Sequence, residues 1–370
     1  MSWKFDFGPE ADTAENYKKV THTTLYDASL GYGFTSPHKV SAKRRTEQPL
    51  NGDFCIPFDA TFIADVPNGN YIVTVLIGDA IAPTQTSLKT NGEHVVLQNY
   101  ETVAGQFAHE QFGVNVRDGR LKLSFGGLAP RINALELTAS EQQITIYLAG
   151  DSTVTDPAPS RFPFSGWGQM LNYYFKHDVV VANHAVGGRS SKSFIAEGRL
   201  DGIMETMREG DFLFIQFGHN DQKSDEERHT DPATTYPQYL KKYIEAARSV
   251  QATPVLLTSV HRRYFDQNGR LIDTHKDYLG AVRQLAADEH IPLIDLAEKS
   301  KQLFEQLGEE ASKSLLLWGE PGEWINYSSG IKDNTHFQEQ GGLAIAALVA
   351  QGIRELQLMP LTMFMKPDAV

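Results

Sequence analysis

A short segment that follows an apolar run contains the most chemically informative residue of this chain. Residues 144–149 have strand character, the run ends at Gly150, and Ser152 follows directly. A hydroxyl there lies at the carboxyl end of a strand, where open α/β sheets place their ligand crevices. Taken alone, Ser152 is more simply explained as the N-cap of the next helix. Its chemical interpretation therefore depends on partners elsewhere in the sequence.

Asp333 and His336 are the partners that a serine nucleophile needs. Serine is a poor nucleophile at neutral pH, so it needs a base within hydrogen-bond reach and an acid that orients the base. The spacing of three residues predicts a helical turn with both side chains on one side. Asp333 would then hold one imidazole nitrogen and leave the other to Ser152.

An acyl-transfer site also needs N–H donors for the negative oxygen that develops in the transition state. The amide of Ser152 is one candidate. Gly187-Gly188 ends the next predicted strand, and a glycine amide can approach a ligand closely because no Cβ intervenes. The side-chain amide of Asn220, after the third strand, is a further candidate. The ends of three successive strands thus carry groups suited to acyl transfer.

The elements that position these groups begin at about residue 141, where strand-like runs alternate with helical segments. Continuous apolar strands such as 212–215 suit a parallel sheet covered on both faces, and the alternation predicts a doubly wound α/β fold. The predicted strands are 143–149, 179–183, 211–217, 253–258 and 291–295, and the predicted helices are about 166–175, 193–208, 235–250, 278–289 and 338–356.

The first part of the chain, up to about residue 138, has a different pattern. Residues 71–77 and 121–125 are apolar or alternating and rich in β-branched side chains, and turn dipeptides such as Asp118-Gly119 separate the runs. Short strands with regular turns predict a β-sandwich. We therefore predict two domains, residues 1–140 and 141–370.

Composition narrows the class of function. The chain has 370 residues and a net charge of −12, which argues against nucleic-acid partners and against an anionic membrane surface. Cys55 is the single cysteine, and no apolar stretch approaches the ~20 residues of a membrane helix. The first residues have no apolar signal core, so a cytoplasmic protein is expected. The sequence leaves the oligomeric state open.

Four segments together resemble the sequence blocks of the SGNH hydrolases, also called GDSL-type esterases. They are Gly150-Asp151-Ser152-Thr153, Asn183 to Ser190, Gly218-His219-Asn220-Asp221 and Asp333-Asn334-Thr335-His336. In detail, Asp-Ser-Thr, Ala-Val-Gly-Gly-Arg-Ser and Phe-Gly-His-Asn-Asp resemble rhamnogalacturonan acetylesterases. The resemblance implies a flavodoxin-like α/β/α sandwich. It also implies Ser152 as nucleophile, His336 as base, Asp333 as orienting acid, and Ser152, Gly188 and Asn220 as oxyanion donors.

The N-terminal half has a resemblance of its own. Residues 5–9 and 26–34 are similar to the start of the galactose-binding-like β-sandwiches found ahead of bacterial pectin-degrading enzymes. This similarity implies an all-β jelly-roll domain before the catalytic domain. Binding of sugar by this domain and simple packing are both open at this point.

The resulting hypothesis is a serine esterase that removes O-acetyl groups from plant cell-wall oligosaccharides, with rhamnogalacturonan fragments favoured. Acetylated xylo-oligosaccharides are an alternative, as is a short-chain lipid esterase or thioesterase. A non-catalytic carbohydrate-binding protein would be a different class, but the set of catalytic groups is complete. The partner is thus expected to be an acetylated oligosaccharide.

Several other residues have open interpretations. Arg189, Arg262 and Arg263 suit either carboxylate clamps or surface positions, and Trp318 and Trp324 suit either sugar stacking or packing. His219 and Asp221 are expected to brace their loop. The scattered histidines lack zinc-ligand spacing, so no cofactor and no metal for the chemistry are expected, and the sequence leaves calcium in the β-sandwich open.

Overall fold

A computed structural model describes residues 1–9 and 13–367, and these form two compact units. The first consists of Met1–Gln143 with Phe175–Val180, and the second of Ile144–Tyr174 with the chain from Val181 onward. Each unit has a hydrophobic cluster of its own. No helix within the described residues is long and apolar enough to cross a membrane.

The first unit is built of β-strands. Its strands are β1 (Ser2–Phe7), β2 (Lys18–Val20), β3 (Tyr32–Phe34), β4 (Val40–Arg44), β5 (Asp53–Pro57), β6 (Ala60–Asp65), β7 (Gly69–Gly78), β8 (Thr84–Thr90), β9 (His94–Thr102), β10 (Phe107–Val116), β11 (Arg120–Ala129) and β12 (Ala134–Ala139). One sheet has the order β10-β7-β12-β1-β2 and another β3-β6-β11-β8-β9, while β4 pairs with β5. Of these pairs, β1 with β2 is parallel, whereas β7, for example, is antiparallel to β10 and β12.

The strand pattern explains how the two large sheets bury their core. Alternate residues of β7, namely Tyr71, Val73, Val75 and Ile77, are all buried, as expected for a strand with one apolar face. Phe5 of β1 packs edge-on against Phe62 of β6 with ring centroids 5.1 Å apart, so the two sheets face each other. The β-rich prediction for this half is confirmed.

The second unit alternates strands and helices. Its strands are β13 (Ile144–Gly150), β14 (Phe164–Ser165), β15 (Val179–Asn183), β16 (Phe212–Gln216), β17 (Thr253–Leu257), β18 (Leu293–Ile294), β19 (Leu316–Gly319) and β20 (Ile331–Gln338). The first two residues of β15 fall within the first unit. Its helices are α1 (Gly168–Leu171), α2 (Ser191–Ala196), α3 (Arg199–Met204), α4 (Thr235–Ser249), α5 (Asp277–Asp288), α6 (Leu296–Ala311) and α7 (Glu339–Glu355).

The main sheet has the order β15-β13-β16-β17-β18, which is the 2-1-3-4-5 order of flavodoxin-like folds. The pairs from β13 through β16 and β17 to β18 are parallel. All five residues of β16 are buried, because a parallel sheet is covered on both faces. The loops after β13, β15 and β16 contain the serine, glycine and asparagine candidates.

The structure differs from the sequence prediction in four elements. The single helix predicted for 193–208 is wrong: Gly198, with a φ of +70°, separates α2 from α3. The helix predicted for 166–175 is reduced to α1 and one following 3-10 turn. Helix α6 was not predicted, and neither was the small antiparallel sheet β14-β20-β19.

Candidate active site

Ser152, His336 and Asp333 form a continuous chain of hydrogen bonds. Oγ of Ser152 lies 2.8 Å from Nε2 of His336, and Nδ1 of the same imidazole lies 2.7 Å from Oδ2 of Asp333. Ser152 follows β13, whereas the other two residues are in β20. When Nδ1–H donates to the carboxylate, Nε2 is left as the acceptor for the serine hydroxyl, which is the arrangement of a serine nucleophile and its base.

The helical turn predicted for Asp333–His336 is wrong. These residues belong to β20, where Lys332 pairs with Trp318 of β19 but Phe337 pairs with Leu316, so the stretch between them bulges from the sheet. Within the bulge, Oδ1 of Asp333 accepts hydrogen bonds from the backbone N–H groups of residues 335 and 336. This local turn places both side chains on one side of a strand, where a regular pleat would separate them.

The environment of Asp333 keeps it ionised. Burial alone would raise the pKa of this carboxyl, but the hydrogen bond and charge of His336, with the two backbone N–H groups, hold the pKa below its usual value. An ionised acid fixes the imidazole tautomer and stabilises the imidazolium that forms on proton transfer. Phe164 of β14 packs edge-on against the imidazole with centroids 5.0 Å apart, and this contact was not anticipated from the sequence.

A second, fully buried network supports the backbone at Ser152. Asp151 accepts from the amide and hydroxyl of Thr153 at 2.9 and 2.8 Å, and its other oxygen lies 3.2 Å from Nδ1 of His219. Gln216 donates to Thr153 at 2.7 Å and accepts from Nε1 of Trp167 at 3.0 Å. These contacts join His219, Gln216 and Trp167 to the segment that directly follows β13.

The three oxyanion-donor candidates lie in loops at the same edge of the sheet. A Cβ built on Gly187 would lie 3.5 Å from Cβ of Ser152, whereas one on Gly188 would meet no atom within 4 Å. Gly188 has a φ of +83°, a conformation that favours glycine. Asn220 donates from Nδ2 to the carbonyl of Arg189 at 3.1 Å, and a side-chain amide carries two N–H groups. One N–H is thus fixed and the second can be offered to a substrate.

Asp221 holds the start of α2 in place. Its carboxylate accepts from the amide of Ser191 at 3.1 and 3.2 Å, from the hydroxyl of that residue at 2.5 Å and from the hydroxyl of Thr230 at 3.0 Å. Burial raises the pKa of Asp221 to about 6, and these hydrogen bonds only partly offset the effect. The residue therefore braces its loop.

The three residues suggested above as substrate contacts, Arg189, Trp318 and Trp324, each have different partners in the structure. Arg189 is bound to Glu197 at 2.9 Å and to the carbonyl of Gly187 at 2.9 Å. Trp318 of β19 donates from Nε1 to Asn334 at 3.0 Å, one residue beyond Asp333. Trp324 packs edge-on against Phe162 at 5.8 Å. Trp318 is therefore the tryptophan that hydrogen-bonds to the turn containing Asp333.

Two adjacent arginines lie in the loop after β17. Arg262 donates to Thr274 at 2.9 Å and to the carbonyl of His219 at 3.3 Å. The backbone N–H of Arg263 donates to the carbonyl of Asn334 at 2.8 Å. These contacts connect the loop after β17 with the two segments that contain His219 and Asn334.

The two parts of the chain match two different families of known proteins. Residues 148–341 match the GDSL-like Lipase/Acylhydrolase family, and residues 3–129 match a domain described as Beta-agarase/YXIM esterase-like, galactose-binding domain-like. Rhamnogalacturonan acetylesterase RhgT of Bacillus subtilis is 49% identical over 218 residues, covering 59% of this chain and 93% of that protein.

Two further comparisons extend over nearly the whole chain. The uncharacterized esterase YxiM of Bacillus subtilis is 29% identical over 370 residues, covering 95% of this chain and 90% of that protein. The crystal structure of YxiM from Bacillus subtilis superposes with a TM-score of 0.54 at 27% identity, covering 98% of this chain and 100% of that one. Since the family match also spans more than half of the sequence, the chain belongs to the GDSL-like lipase/acylhydrolase family.

Proposed function

We propose that this chain is a carbohydrate O-acetylesterase that acts on acetylated rhamnogalacturonan fragments by an acyl-enzyme mechanism. The observation that carries the proposal is the hydrogen-bonded chain Ser152–His336–Asp333, because it joins a nucleophile to a base and the base to an orienting acid. The identity with RhgT, a protein named as a rhamnogalacturonan acetylesterase, supports the choice of substrate.

In the proposed cycle, Oγ of Ser152 attacks the acetyl carbonyl while Nε2 of His336 takes the hydroxyl proton. The carbonyl oxygen becomes negative, and the bond to the sugar oxygen then breaks as the imidazolium returns the proton to the leaving alcohol. Water, activated by the same imidazole, next attacks the acetyl-serine and releases acetate. Asp333 stays ionised throughout and holds Nδ1 of His336.

The oxyanion would be held by the N–H groups of Ser152 and Gly188 and by the second N–H of Asn220. Asn220 is well suited to this role because Arg189 fixes its amide plane through a backbone carbonyl. Arg189 would thereby act through Asn220, since its own guanidinium is bound to Glu197. Trp318 and Trp324 remain proposed sugar contacts of the same site.

We further propose that residues 1–140 and 141–370 act as separate domains. In this proposal the first is a jelly-roll of the galactose-binding-like type and the second contains all the catalytic groups. For the first domain, this assignment is supported by two facing five-stranded sheets and by the match to a galactose-binding-like domain.

Acetate release from a panel of substrates tests the function. The protein should release acetate from acetylated rhamnogalacturonan oligosaccharides faster than from acetylated xylo-oligosaccharides, and p-nitrophenyl esters should be hydrolysed best with the acetyl group. A preference for xylan fragments would replace the proposed substrate, and an optimum at long acyl chains would contradict the acetylesterase assignment. Ser152→Ala should abolish release from every substrate.

A further inference from the structure

Three cationic side chains surround the indole of Trp318. The Arg263 guanidinium carbon lies 5.0 Å from the ring centroid, the Lys313 ammonium 4.8 Å and the Lys332 ammonium 5.8 Å. An aromatic face attracts a cation through its quadrupole, but three like charges at one ring also repel each other. We call Arg263, Lys313, Lys332 and Trp318 the Trp318 cluster.

The charge of this cluster is only partly neutralised by protein groups. Lys313 pairs with Glu310 at 2.7 Å. Arg263 and Lys332 form no ion pair with any carboxylate in the described part of the chain. Arg189 is the contrasting case, because it forms an ion pair at 2.9 Å with Glu197, which also pairs with Arg199.

Arg263 is unusual because it is buried as well as unpaired. The residue is 3% exposed, and its Nε is enclosed without a hydrogen-bond partner among the described residues. Burial lowers the pKa of this guanidinium from its usual value, although it remains a cation. The charges of Glu309 and Glu310 offset only part of the effect of burial. A buried charge without an ion-pair partner costs free energy, so an anionic ligand that reached the guanidinium would be favoured.

The Trp318 cluster adjoins the candidate catalytic turn directly. Nε1 of Trp318 donates to the side chain of Asn334 at 3.0 Å, and the backbone N–H of Arg263 donates to the carbonyl of that same residue at 2.8 Å. Asn334 follows Asp333, and Lys332 precedes it. A group bound at the cluster would therefore lie beside the residues that position His336.

We propose that the Trp318 cluster is a subsite for the carboxylate of an acidic sugar within the acetylated oligosaccharide, with Arg263 and Lys332 as its charged contacts. The inference rests on the proposed function and deepens it by naming a charged substrate class. A guanidinium presents two parallel N–H groups to a carboxylate. Lys332 is exposed and adds a second positive charge.

The substrate provides the first test. Acetate release is compared between acetylated rhamnogalacturonan oligosaccharides with free carboxylates and the same oligosaccharides after methyl esterification of the carboxyls. The wild-type protein should show a kcat/KM about tenfold or more higher for the free acid, because a charge-assisted hydrogen bond contributes to binding of that form alone. Acetate, not methanol, is the measured product.

Variants of Arg263 and Lys332 then test whether these residues cause the preference for the free acid. Arg263→Gln should reduce the acid-to-ester ratio of kcat/KM to near unity, and Lys332→Gln should reduce it by about threefold, since an exposed charge is screened by solvent. The ratio within each variant cancels any general loss of activity or of folded protein. Lys242→Gln is the matched control, because Lys242 also stacks on an aromatic ring, Tyr239 of α4, at 4.7 Å. Its ratio should equal that of the wild type.

The possible failures can be told apart. Equal rates for the acid and the ester in the wild-type protein overturn the subsite and leave the acetylesterase function standing. A clear preference for the acid that survives in both Arg263→Gln and Lys332→Gln places the carboxylate elsewhere and also overturns the subsite. No acetate from either form overturns the proposed function and the subsite with it.

Discussion

An aspartate–histidine pair in the bulge of β20 contrasts with another pair that lies between the loops after β13 and β16 of the same unit. Asp333 and His336 approach to 2.7 Å with side chains 26% and 28% exposed, whereas Asp151 and His219 approach to 3.2 Å with side chains 0% and 5% exposed. The first imidazole has its second nitrogen on Ser152. The chemistry of the two pairs is similar, so their surroundings must set their roles.

Burial decides what each imidazole can do. Burial lowers the pKa of His219, and the attraction of Asp151 does not fully offset it, so this ring stays neutral and serves as a fixed hydrogen-bond partner. His336 must gain and lose a proton in every proposed cycle, which requires partial access to solvent and substrate. Partial exposure to solvent therefore distinguishes the pair beside Ser152 from the buried pair, which serves a structural role.

The largest expected effect is on catalysis through the exposed pair. Asp333→Asn should lower kcat by about 10⁴-fold, because the amide no longer fixes the tautomer that leaves Nε2 free. Steady-state acetate release, corrected for the fraction of folded protein, measures this loss. Asp151→Asn should reduce kcat much less on the same basis. Equal losses in the two variants would remove the distinction between the pairs.

Stability should show the opposite order. Asp151→Asn should lower the free energy of unfolding by about 2–3 kcal/mol, because its three hydrogen-bonded contacts are buried and one is to a histidine. Asp333→Asn should cost less than about 1 kcal/mol, since solvent can replace part of what is lost. Urea unfolding of both variants measures the difference. A larger cost for Asp333→Asn would contradict the structural role of the buried pair.

Asp221 extends the comparison to a buried carboxylate that hydrogen-bonds hydroxyl and amide groups. Its pKa of about 6 exceeds the unfolded value of 3.8, so the native state binds the proton more tightly. The associated stability is present below about pH 4 and is lost as the pH rises to about 6, by up to about 3 kcal/mol. Unfolding free energies measured from pH 4 to 7 should fall more steeply for the wild type than for Asp221→Asn. Parallel curves would contradict this assignment.

The smallest effect concerns the network behind Ser152. Trp167→Phe removes an indole N–H that donates to Gln216 at 3.0 Å, and it should cost about 1 kcal/mol more than Trp324→Phe. Trp324 is the matched control because its Nε1 is buried without a partner within the described residues. Chemical denaturation of both variants gives the difference. Equal costs would indicate that the Trp167 hydrogen bond contributes nothing to stability.

The sequence predicted the positions of the candidate groups better than their local geometry. Ser152, Gly188 and Asn220 could be placed because continuous apolar strands end just before them. The Asp333–His336 pair was also identified, but as a helical turn, since a spacing of three residues does not distinguish a helix from a bulge closed by a side chain. The bulge depends on pairing with β19, which is a long-range contact.

Other features depended on contacts that no local pattern contains. Arg189 and Arg263 are equivalent in sequence as candidate clamps, yet the first forms an ion pair with Glu197 while the second forms none with a carboxylate among the described residues. Asp151 and His219 are 68 residues apart in the chain, and the loops that contain them meet only in the folded structure. No local sequence pattern indicates that the two residues are partners. These differences are properties of tertiary packing.

In the proposed mechanism, Ser152 forms a covalent acetyl intermediate with help from His336. The most direct measurement is to quench the protein in acid during turnover of p-nitrophenyl acetate and locate the acetyl group by mass spectrometry of the digested chain. We expect an acetyl group on the peptide that contains Ser152, and none when His336 is replaced by Ala. An acetyl group on another side chain, or an unchanged yield in the His336→Ala variant, would contradict it.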